Sequence, residues 1–180
     1  MKHQATPRFL LAAAALVIAA ALAGCGTKEG AKPLAGAEST QQRSGAGEGT
    51  ADKSEQISVY FTDDDLTDLK EQKAEIRFAD DKTKLEAAFA ALQASPTDLI
   101  SLWKHVQLLS VKIEDGAAVF DLHLPNEARL GAPGEDLALQ AIEKTMFQFD
   151  DVKSIDLLVD GAKVDSLMGH DELDHPIMKP

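Results

Sequence analysis

The sequence predicts an α+β domain in the order β-β-α-β-β-α-β, a two-layer arrangement with two helices packed on one face of a mixed or antiparallel sheet. Three observations carry that expectation. Apolar residues alternate at period two in short stretches, they recur at helical spacing in two longer ones, and Asp-Gly pairs end strands at two places.

Ile57, Val59 and Phe61 alternate with polar neighbours, as do Ala74, Ile76 and Phe78, which predicts two half-buried strands. From Thr83 to Ser95 the residues Leu85, Ala88, Phe89 and Leu92 share one helical face; Thr83 and Glu86 have capping-box spacing, and Ser95-Pro96 ends the run. Leu109, Val111 and Ile113 alternate up to Asp115-Gly116, a two-residue hairpin signal, and Ala118, Phe120, Leu122 and Leu124 alternate beyond it. Glu135 to Phe149 reads as a second helix, with Leu139, Ile142, Met146 and Phe149 near the helical period and acids in the first turn. A last strand, Ser154 to Val159, sets Ile155, Leu157 and Val159 on one face before Asp160-Gly161. Trp103, in an apolar segment leading into a strand, is expected in the core.

A chain of 180 residues has room for one ordinary domain and some non-domain sequence. Its 44% apolar and 27% charged composition is that of a globular protein, and its formal net charge is −12. Removing the first 24 residues takes away Lys2 and Arg8 and no acid, leaving 16 bases against 30 acids. Such a domain is repelled by nucleic acid and by anionic lipid, so no nucleic-acid partner is expected and membrane contact has to arise otherwise. With one cysteine, Cys25, neither an intradomain disulfide nor a Cys-rich metal site is available.

Residues 1–24 have the layout of a signal peptide: Lys2 and Arg8 near the start, then an apolar run from Phe9 to Ala23 that ends in small residues. The run falls short of the roughly 20 residues needed to span a bilayer. Leu22-Ala23-Gly24-Cys25 has the form of a bacterial lipobox, which implies cleavage between Gly24 and Cys25 and a diacylglycerol thioether on Cys25. Two acyl chains, at about 0.8 kcal/mol per buried CH₂, make stable anchoring where one is marginal. Residues 25–54 follow as the lipidated cysteine and a disordered tether; after Cys25 the only large aliphatic residue there is Leu34, too little apolar surface to offset ordering entropy. A coil of that length reaches roughly 30 Å. The domain is assigned to residues 55–180.

Asp63-Asp64-Asp65 with Asp68 invites a calcium reading, but an EF-hand-like register from Asp63 puts Asp68 and Ala74 where glycine and glutamate belong, so a solvated turn is expected. His170 and His175, with Asp171, Glu172 and Asp174, are the densest set of metal-ligand types. Their spacing of five and Pro176 argue against a helical zinc pair and for a solvent-exposed tail; His105 and His123 stand apart. There is no Gly-x-Ser-x-Gly elbow, and the cysteine is committed to lipid, so no catalytic residue, metal ligand or cofactor is assigned.

The segments Ser58-Val59-Tyr60-Phe61, Leu108 to Gly116 with Val119 to Leu122, Thr145 to Phe149 running into Val152 to Ile155, Leu158-Val159-Asp160-Gly161, Gly169-His170 and His175-Pro176 together resemble the GerMN domain of sporulation and germination lipoproteins. The resemblance covers roughly residues 55–180 as a single-domain member. It implies an extracytoplasmic, non-enzymatic binding or assembly module with an envelope protein partner, and the lipobox at Cys25 implies that lipid holds it on the outer face of the cell membrane. A metal- or small-ligand-binding lipoprotein is the alternative reading, and an envelope hydrolase the third.

Overall fold

The computed structural model describes residues 53–96 and 98–180. The signal peptide, the cleavage site at Gly24 and Cys25, and the tether up to residue 52 lie outside the described residues. The α+β class holds, but the strands form two sheets instead of one.

Strands β1 (Lys53–Thr62) and β2 (Leu69–Phe78) make an antiparallel hairpin, in register from Lys53 opposite Phe78 to Thr62 opposite Leu69. Alternation puts Ile57, Val59, Phe61, Ile76 and Phe78 on its buried face. Helix α1 (Asp81–Gln93) packs against that face with Leu85, Ala88, Phe89 and Leu92. Its cap lies three residues earlier than expected, at Asp80 instead of Thr83. The Asp80 carboxylate accepts from the Thr83 N–H at 2.8 Å, and the Thr83 hydroxyl accepts from the Asp80 N–H at 3.0 Å.

The second sheet begins with β3 (Gln107–Glu114) and β4 (Ala117–His123), an antiparallel pair joined by Asp115 and Gly116 at φ 52° and 89°. Two positive φ angles are the type I′ turn that an Asp-Gly pair favours. The expected face of β4 is buried throughout, at Ala118, Phe120, Leu122 and the following Leu124. In β3 the expectation fails at Leu109, which is 50% exposed. The register shifts between Leu108 and Ser110, and one extra residue in a strand turns a side chain to the opposite face.

Helix α2 (Ala132–Met146) starts three residues before the expected Glu135, with Pro133 in its first turn where no N–H is needed. It crosses over to β5 (Ser154–Val159), which runs parallel to β4 from Ala117 opposite Ser154 to Leu122 opposite Val159. Asp160 and Gly161, at φ 50° and 79°, then turn the chain back into β6 (Ala162–Lys163) against the end of β5, and β7 (Ile177–Met178) pairs with its start.

The centre of the core joins these parts. Phe89 lies edge-on to Trp103 at 5.5 Å and 6.1 Å from Phe120, and the Trp103 indole N–H donates to the Ala138 carbonyl at 3.0 Å. Trp103 is thus a core residue, as its sequence setting predicts.

Candidate functional site

The acidic run lies in the turn between β1 and β2. Asp64, Asp65 and Asp68 are exposed, and Lys70 stands 3.7 Å from Asp63 and 4.0 Å from Asp68, which is a solvated turn balanced by one lysine. His105 is exposed, and the His123 Nδ1 lies 2.8 Å from Asp160 at the turn between β5 and β6. Among the described residues no cluster of three or more His, Cys, Asp or Glu side chains is placed to hold a metal.

His170 and His175 are brought back onto the domain, where the sequence suggested an exposed tail. Glu135 is the reason at the first histidine. Its side chain is wholly buried and accepts from the Ser166 hydroxyl at 2.7 Å, the Met168 N–H at 2.8 Å, and both the N–H and the ring Nδ1 of His170 at 3.0 Å. Burial works against its charge, but these donors outweigh it and hold the carboxyl below the usual glutamate range. The second histidine sits between two acceptors: His175 Nδ1 on Asp156 and Nε2 on the Val164 carbonyl. The bond to Asp156, then that to Val164, raises its pKa. These contacts fasten the last 15 or so residues to α2 and β5. Sequence spacing missed them because their partners are remote along the chain.

One feature open to another molecule is the edge of β2. On the other side of the hairpin, the Gln148 side chain occupies the outer edge of β1: its Oε1 accepts from the Ser58 N–H at 2.8 Å, and its Nε2 donates to the Ser58 carbonyl at 2.9 Å. Thr62 and Ile100 exchange backbone bonds at 3.0 and 2.8 Å further along the same edge. No strand flanks β2 among the described residues. Ser58 turns its N–H and C=O away from β2, so its opposite residue Lys73 likewise points its own away from β1; by alternation the same holds for Glu71, Glu75 and Arg77. Beside this edge runs a groove of about 450 Å³, lined by the consecutive residues 72–77, by Val59 and Phe61, and by alanines of α1. Consecutive strand residues point to opposite faces, so a cavity that touches all of them lies along the strand's edge.

A sequence model of the Germane family, described as sporulation and spore germination, matches residues 58–165. The chain belongs to this family. The matched span takes in β2, α1 and Glu135, whereas His170 and His175 lie beyond it. The first GerMN domain of the sporulation protein GerM from Bacillus subtilis shares the fold of this Germane domain, with a TM-score of 0.54 at 15% identity, over 69% of this chain and 97% of that one. The tandem GerMN domains of GerM align with a TM-score of 0.47 at 19% identity, over 77% of this chain and 49% of that one. A candidate lipoprotein from Clostridium perfringens aligns with a TM-score of 0.49 at 27% identity, over 76% of this chain and 93% of that one. No curated protein matches the chain by sequence.

Proposed function

We propose that this chain is a lipoprotein held at the outer face of the cell membrane by Cys25, and that its Germane domain is a non-enzymatic module that joins an envelope protein by strand addition. Membership of a sporulation and germination family supports an envelope role of that kind. The observation that carries the binding reading is the open edge of β2 beside an apolar groove. An extended segment from a partner would gain main-chain hydrogen bonds from the edge and place alternate side chains in the groove. The tether adds to this by confining the domain near other envelope proteins, which raises its effective concentration.

The reading is tested with a photo-crosslinking residue at Gln72 of the full chain in native membranes. The expected outcome is a discrete protein adduct that disappears when Ala91→Trp fills the groove. An adduct equally abundant in the filled variant, or none at all, would show that the edge is not a docking site.

A further inference from the structure

The partner of the β2 edge can be named from its charges. Side chains at 71, 73, 75 and 77 share the face of β2 turned away from α1, and they read Glu71, Lys73, Glu75, Arg77. All four are exposed. Opposite them on β1 stand Tyr60, Ser58, Gln56 and Ser54, none of them charged. Within the chain the row pairs along its own strand, Lys73 with Glu71 at 2.6 Å and Arg77 with Glu75 at 3.7 Å, and such exposed pairs contribute little. The Ser58 hydroxyl donates to Glu71 at 2.7 Å and accepts from Lys73 at 2.6 Å, but no opposite charge faces the row from β1, and it lies on the edge of the hairpin that no strand flanks among the described residues.

We propose that the Germane domain pairs with a second copy of itself, β2 against β2, antiparallel and centred on Ala74. This deepens the binding reading above by naming the partner. In that register Glu71 faces Arg77 of the second copy and Lys73 faces its Glu75, and the two-fold axis repeats both pairs. Opposite charges meet at every charged position on the face. These four are also the residues whose N–H and C=O groups point outward, so each charge pair coincides with a pair that exchanges hydrogen bonds. Moving the centre to Lys73 would oppose Lys73 to Lys73 and Glu71 to Glu75. Moving it to Glu75 would oppose Glu75 to Glu75 and Lys73 to Arg77. Centres at Gln72 and Ile76 avoid like charges within the strand but match only half of the row: about Gln72, Glu75 meets Leu69 and Arg77 meets Thr67, and about Ile76, Lys73 meets Ala79 and Glu71 has no partner in the strand. The alternation thus selects one register, as a sheet requires where a slip would misplace a whole face.

The groove permits the approach. An axis through Ala74 normal to the sheet sets both α1 helices on the same face, and what α1 and its cap present to the groove there is Ala87, Ala90, Ala91 and Ala94, above Gln72 and Ile76 of β2. Ala74 at the centre is equally small. The product is a continuous four-stranded sheet with a helix from each copy across one face, and the pairing is isologous, so it closes at two.

The test co-expresses two differently tagged copies of the full chain and measures capture of one by the other in mild detergent. The wild type is expected to capture itself. An all-acidic row, Lys73→Glu with Arg77→Glu, and an all-basic row, Glu71→Lys with Glu75→Lys, should each lose self-capture by about tenfold or more. The acidic row should capture the basic row, which would also establish that both variants fold. In native membranes Ala74→Cys should give a disulfide-linked dimer on mild oxidation, and Lys112→Cys on the other sheet should not. No capture by the wild type, self-capture unchanged in the acidic row, or no capture in the mixed pair would overturn the inference. A photo-adduct from Gln72 with a different protein would then leave the binding reading standing, so the two fail separately.

Discussion

His175 shows how much one side chain contributes when both ends of it are engaged. Asp156 and the Val164 carbonyl are both acceptors, so both ring nitrogens carry hydrogen, and the ring is held as the cation. Lys163 completes the cluster, 2.9 Å from the other Asp156 oxygen. Burial opposes the charge of Asp156, but the hydrogen bonds from His175 and Lys163 prevail and lower its pKa. The signs set a window. A histidine raised in the folded state gives its full stabilisation below the unfolded value of about 6.5 and loses it as pH climbs through the folded value. A lowered aspartate gives its own above the unfolded carboxylate range and loses it as pH falls through the folded value. The cluster is therefore strongest from about pH 5 to 6.5. His175→Ala should cost about 1.5–3 kcal/mol at pH 5.5 and clearly less at pH 8.5, by urea titration at the two values. Equal deficits at both would mean that the ring is not held as a cation. None of this was legible in the sequence, where spacing relates His175 to its neighbours and not to Asp156 on another strand. Glu135 was visible only as a first-turn acid, and its burial depends on a loop 30 or so residues further on.

Among the elements, periodicity served best where a stretch follows its ideal geometry and failed where one residue breaks the count. The inner face of β4 and the buried stripe of α1 were both readable from alternation and helical spacing, because a strand between tight turns and a capped helix keep strict periods. The expected face of β3 fails at Leu109 because the bulge leaves no mark in composition, and strand periodicity carries no sign that the Gln148 amide, not a strand, meets the β1 backbone at Ser58. The alternating charges of β2 were in plain sight, but only the empty edge beside them gives them meaning. Phe89→Ala and Phe120→Ala should each cost roughly 3–5 kcal/mol, since both rings are fully buried and meet at the centre of the core. Thermal or chemical melts of the two variants check this, and small losses in both would contradict the packing of α1 on β4.

For the whole molecule, the domain and its proposed anchor make separate demands that the sequence keeps apart. The core closes within the described residues, with its aromatic centre drawn from α1, β4 and the segment before β3. In the proposed reading, attachment falls to Cys25 and to the length of chain between it and β1. Cys25→Ser should therefore leave an unprocessed precursor without lipid, because serine cannot form the thioether that permits cleavage, while the fold stays intact. Mass spectrometry of the protein from cell membranes measures both modifications, and a normally acylated, shortened product would refute the anchor. This part of the reading came from residues in unbroken sequence order, which is why it needed no fold.

The amide of Gln148 has a further consequence. A β-ribbon with two bare flanks is a bifunctional monomer, and each addition leaves a new end on which the next can form, as in a fibre. By holding the N–H and C=O of Ser58, Gln148 joins the Thr62–Ile100 bonds in occupying the β1 side of the hairpin and leaves β2 as its open side. In the proposed pairing, β2 consumes a growing end and creates none, so Gln148 and the Thr62–Ile100 bonds set the stoichiometry of this sheet at the terminating step.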